Sequence, residues 1–184
     1  MKIQYGLLVL SVLALVAMPA VAQANVSPAD QSFMQKAAQG GMAEVQLGKL
    51  AEQNAQSPEV KAFGARMVRD HSKANDELKQ VAAQQGVTLP SSPDAKDQAT
   101  EQRLSQLHGA AFDKAYMHDM VQDHRKDVAD FKKATSAKDM QLREWVDKTL
   151  PVLESHLREA EKVAPTVGVA VNGSSVNESA QVQH

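Results

Sequence analysis

The chain has 184 residues, 20 basic against 22 acidic side chains, and no cysteine. With charge so nearly balanced and no basic stripe, nucleic-acid binding is excluded on electrostatic grounds. Lack of cysteine removes disulfides and thiolate metal sites, so a fold of this length must rest on a packed apolar core.

The N-terminus reads as an export signal. Lys2 is the only charge before Asp30, and Leu7 to Met18 is apolar except for one serine. Pro19 ends the run, and Ala22-Gln23-Ala24 has the small-x-small form of a signal-peptidase site. Cleavage after Ala24 is expected, giving a periplasmic protein that starts at Asn25. The run falls short of the roughly 20 apolar residues of a spanning helix. Membrane contact is therefore expected only through this segment, if it stays uncleaved.

Ser27-Pro28-Ala29-Asp30 opens a first helix, with serine as cap and proline in the first turn. It is expected to run to about Ala55, with Phe33, Ala37, Gly41, Glu44, Gly48 and Ala51 on one face. Glu44 is the one ionisable group on that face. Ser57-Pro58-Glu59 repeats the punctuation and opens a second helix that ends near Gln85, where Gly86 can cap it. The short break between the two demands an antiparallel hairpin. Val87 to His108 is a long connection holding Pro90 and Pro93, with a polar helical piece expected from Asp94 to Gln106. Gly109 opens a third helix to about Thr135, and a fourth runs from about Lys138 to Val163 with a kink expected at Pro151. Residues 25–163 thus form one all-α domain. Ala164 to His184 is small, polar and aperiodic, and is expected to be a disordered tail.

One stretch is written twice. Met67-Val68-Arg69-Asp70-His71-Ser72-Lys73 returns as Met120-Val121-Gln122-Asp123-His124-Arg125-Lys126. The offset is 53 residues (124 − 71), and it also places Phe63 opposite Tyr116 and Leu78 opposite Phe131. Both histidines fall on apolar stripes of three- and four-residue spacing, so each faces a helical core. Helix 2 would be about 40 Å long at ~1.5 Å per residue. The long connection can run back along it, which makes the second and third helices parallel.

These residues carry a resemblance. Gly41-Met42-Ala43-Glu44-Val45, Met67 to His71, Leu107 to Asp113, and Thr149-Leu150-Pro151 with His156 resemble the bacterial domain of unknown function 4142 family, across roughly Asp30 to Val163. That resemblance implies an exported, ferritin-like four-helix bundle, here with a crossover segment between helices 2 and 3. It implies no biochemical role.

Each of the four helices puts one polar group on its apolar stripe: Glu44, His71, His124 and His156. Bundles build metal sites in this way, and three imidazoles with one carboxylate suit zinc, copper(II), nickel or iron. No Glu-x-x-His pair is present, so a di-iron centre is not expected. Met67 and Met120 lie four residues before the repeated histidines and read as core filler rather than thioether ligands. Asp70 and Asp123 point away from their own histidines and can at most orient a neighbour's imidazole. His108, His118 and His184 are assigned no role. With no nucleophile motif or phosphate loop, the expectation is a binding protein, not an enzyme. The alternative is a structural or interaction protein of the cell envelope whose polar core only fixes helix register.

Overall fold

The computed structural model describes residues 26–171 and is all-helical over them. Five α-helices follow in order: α1 Pro28–Asn54, α2 Pro58–Gln84, α3 Ala95–Ser105, α4 Gly109–Ala134 and α5 Met140–Val163. The expected export segment and the residues after Val171 lie outside the described residues.

Short polar side chains start the helices as the sequence spells out. Ser27 Oγ accepts from the Asp30 amide at 3.1 Å and Ser57 Oγ from the Val60 amide at 3.3 Å. Asp94 and Asp139 do the same for α3 and α5, at 2.9 and 2.7 Å. The Asp139 cap moves the start of the last helix from the expected Lys138 to Met140. Gly86 ends α2 with φ +66°, a left-handed conformation that glycine takes without strain. Helix α5 continues through Pro151, whose side chain lies on the exposed face.

Helices α1 and α2 form the expected antiparallel hairpin, and two glycines let them touch. A Cβ on Gly64 would lie 2.6 Å from Ala51 Cβ and 2.8 Å from the Gly48 carbonyl oxygen. A Cβ on Gly48 would meet the Gly64 carbonyl oxygen at 2.7 Å. Buried Asp113 on α4 ties the turn down: its two carboxylate oxygens accept from the Gln56 amide at 3.0 Å and the Ser57 amide at 2.9 Å.

The repeat fixes the direction of α4. Phe63 and Tyr116 pack edge to face with centroids 6.2 Å apart, in one apolar cluster at one end. Leu78 and Phe131 share the other cluster at the opposite end. Helices α2 and α4 are therefore parallel. The connection crosses the length between them: Val87 and Leu89 pack at the Phe131 end, and Leu104 of α3 is fully buried at the Phe63 end.

The expected disorder from Ala164 onward does not hold for its first eight residues. Ala164–Val167 forms a 3-10 turn capped by Gly168 at φ +78°. Ala164 and Val169 are buried, and Val167 and Val171 pack beside them on the Phe63-end cluster. Spaced valines bury apolar surface there, an alternation of apolar residues that helical periodicity does not detect.

Candidate metal centre

Between the two apolar clusters lie three buried imidazoles, one each from α2, α4 and α5. His71 is 6% exposed, His124 0% and His156 1%. Their ring centroids are 5.8, 5.3 and 5.4 Å apart, close to an equilateral triangle. One ring nitrogen from each lies within 4.8 Å of the other two. Each position comes from the helical stripe the sequence shows: three neighbouring helices, each with its histidine at one depth along the bundle.

Hydrogen bonds set which nitrogen is available on His124 and His156. His124 Nδ1–H donates to the Met120 carbonyl oxygen, 3.0 Å away on the previous turn. Its Nε2 is buried without a partner. His156 Nε2–H donates to Asp70 Oδ2 at 2.9 Å, leaving buried Nδ1 without a partner. His71 Nε2 is likewise buried and unpartnered. The His124 and His156 tautomers follow from the acceptors that those rings meet. One nitrogen of each ring is thus buried without a partner.

The surroundings keep the rings uncharged. Burial pushes His124 down to about 3, with His156 adding to the shift. Burial also drives His71 well below the ordinary histidine range, and the neighbouring imidazoles push the same way. His156 is lowered by burial too, partly offset by its bond to Asp70. Neutral imidazole is the form that binds a metal ion.

Asp70 performs the orienting role expected of it, on the neighbouring helix's His156 rather than on His71. Burial acts to raise its carboxyl, but hydrogen bonds from His156, Arg69 and Arg66 hold it below the usual range. Arg66 Nε donates to Asp70 at 3.2 Å, Nη2 donates to Ser155 Oγ at 3.0 Å, and Nη1 donates to Glu159. This guanidinium pins α5 to α2 beside the site, which sequence reading missed because Arg66 lies off the stripe. Asp123 does not repeat the arrangement. Its charged neighbour is Lys96 of α3, at 3.9 Å.

Glu44 corrects the expected quartet. It is buried, but it is outside the group of mutually close donors. Its Oε1 lies 3.9 Å from His124 Nδ1, the nitrogen already committed to Met120. The two nitrogens of an imidazole diverge, so Glu44 sits behind His124 rather than with its free Nε2. Its Oε2 and the Tyr116 hydroxyl are both buried without partners. Burial, then the Asp127 carboxylate, raise the Glu44 carboxyl well above its usual range. Met67 and Met120 are fully buried members of the apolar core. His118 is exposed beside Asp119 and His108 is exposed; His184 lies outside the described residues.

The sequence pattern described as "Domain of unknown function (DUF4142)" matches residues 15–163. This chain belongs to the DUF4142 family. The stretches that carry the resemblance, including His71 and His156, fall inside that match. No curated protein matches the chain. Among solved structures, the DUF4142 chain is similar to a DUF305 fragment from Deinococcus radiodurans, at 13% identity and a TM-score of 0.68. The likeness covers 77% of this chain and 98% of that one. At that identity it speaks for the helical fold alone, and the site stands on its own geometry.

Proposed function

We propose that this protein binds one transition-metal ion through His71 Nε2, His124 Nε2 and His156 Nδ1, as an exported binding protein. The observation that carries the reading is three buried imidazoles that bring one ring nitrogen each within 4.8 Å of the others, each ring holding one buried nitrogen without a partner. Leaving a buried polar group unpaired costs about 1–3 kcal/mol, and this cluster leaves one nitrogen of every ring unpaired at one place. Here the outer nitrogens of His124 and His156 are paired and the inner ones are not. A dication answers all three lone pairs at once. Three nitrogen donors suit zinc, copper(II) or nickel. Export rests on the Leu7–Met18 run and Ala22-Gln23-Ala24, and an intact mass starting at Asn25 is its check.

Thermal unfolding tests the site. A ligand bound only by the folded state raises the melting temperature by mass action. Zinc should raise it for the wild type and for His118→Ala, and should not for His124→Ala. A zinc-induced rise that survives in His71→Ala/His124→Ala would place the ion elsewhere.

A further inference from the structure

A cavity of about 550 Å³ lies directly beside the triad. His71 forms part of its wall. The other walls come from one turn along each helix: Asn75 after His71, Asp127 after His124, Leu153 before His156, and Gly40 and Gly41 before Glu44. The cavity thus sits over the site along the bundle axis. Exposed Ser32, Lys36 and Lys138 mark its opening to solvent.

Three features make it a chamber for a ligand rather than a packing defect. Glycine on α1 leaves the fourth corner of the bundle open: a Cβ added at Gly40 would meet nothing within 4 Å. Phe33, Phe131 and Trp145 form an aromatic wall, with ring centroids 5.1 to 6.4 Å apart. Asp127 lines the same space and has no hydrogen-bond or ion-pair partner among the described residues. Burial raises its carboxyl to about 7, opposed by the Lys126 charge and assisted by Asp123 and Asp130.

Three protein donors leave a metal ion an open position. We infer that the open position faces this cavity and takes a small aromatic nitrogen base, whose ring lies against Phe33, Phe131 and Trp145. A neutral nitrogen donor meets the metal, an azole N–H reaches the unpartnered Asp127, and the aromatic body fills the apolar space. The volume is within the range of small-molecule sites. This inference rests on the triad reading above.

The test uses the full mature chain loaded with cobalt(II), a coloured stand-in for zinc whose absorption responds to added ligands. Imidazole and 4-phenylimidazole are titrated into wild type, Gly40→Leu and Ala37→Leu. Wild type should bind 4-phenylimidazole about tenfold or more tighter than imidazole, the scale expected for burying a phenyl ring. Each leucine variant, filling the chamber from α1, should lose that preference while holding cobalt as tightly as wild type. Equal affinity for the two bases in wild type would overturn the inference, as would a phenyl preference that survives in either folded variant. Wild type that binds no cobalt would overturn the triad reading itself, and this inference with it.

Discussion

His124 is the most enclosed ionisable group of the site, and its position sets a sign for the response to acid. Its folded value is about 3 against an ordinary 6.5. Between those values the unfolded chain binds a proton that the folded chain refuses. Stability from His124 is therefore full above about pH 6.5 and falls as pH drops toward 3. His71 and His156, also lowered, act in the same direction. Glu44 and Asp127 act oppositely: their raised carboxyls add stability at low pH, and that contribution fades as pH rises through their folded values. Urea unfolding of the metal-free protein at pH 7.5 and 5 separates the terms. The loss on acidification should be smaller in His124→Leu than in wild type; an equal loss would mean that His124 is charged in the fold. Asp70 gives a second expectation. Its carboxylate fixes the tautomer that turns His156 Nδ1 inward. Asp70→Ala should weaken metal affinity by about 10–100-fold, the usual effect of removing a ligand's orienting partner. Asp70→Asn, which keeps an acceptor oxygen, should recover part of it in a competition titration with a chelating dye.

Among the elements, α1 is the one built from small residues, and its glycines differ in kind. Gly48 forms the crossing with Gly64 of α2, where a Cβ added to either meets backbone oxygen under 3 Å away. Backbone cannot yield as a side chain does. Gly64→Ala should therefore destabilise by about 1–3 kcal/mol in denaturant unfolding, although alanine favours helix by ~1 kcal/mol. Gly40 has open space instead, so Gly40→Ala should stabilise by about 0.5–1 kcal/mol. A stable Gly64→Ala protein would mean that the two helices do not approach this closely. Element boundaries were legible where polar caps stand in the sequence, as at Ser27 and Ser57. The aspartate cap at Asp139 was not singled out, and the last helix starts two residues later than expected. The turn at Ala164–Val167 left no helical period to read, because spaced valines bury it.

At the scale of the whole molecule, the 53-residue repeat decides the topology. Equivalent residues at both ends and in the middle are neighbours, so α2 and α4 run in parallel and the histidines meet at one depth. The triad was legible because helical period assigns each histidine a face, and equal spacing within the repeat assigns two of them a height. Glu44 was misplaced because period fixes the face of a residue but not which ring nitrogen it meets. Only the turn-to-turn bond from His124 to Met120 settles that. Asp127 stands three residues after His124, within one turn, and sequence alone gave no reason to choose it over Asp123. X-ray absorption on the zinc-loaded protein tests the central claim most directly. The account predicts one zinc per chain with three imidazole nitrogens at about 2.0–2.1 Å, and one fewer imidazole in His156→Ala. A shell with fewer than three imidazoles in the wild type, or one unchanged in His156→Ala, would contradict it.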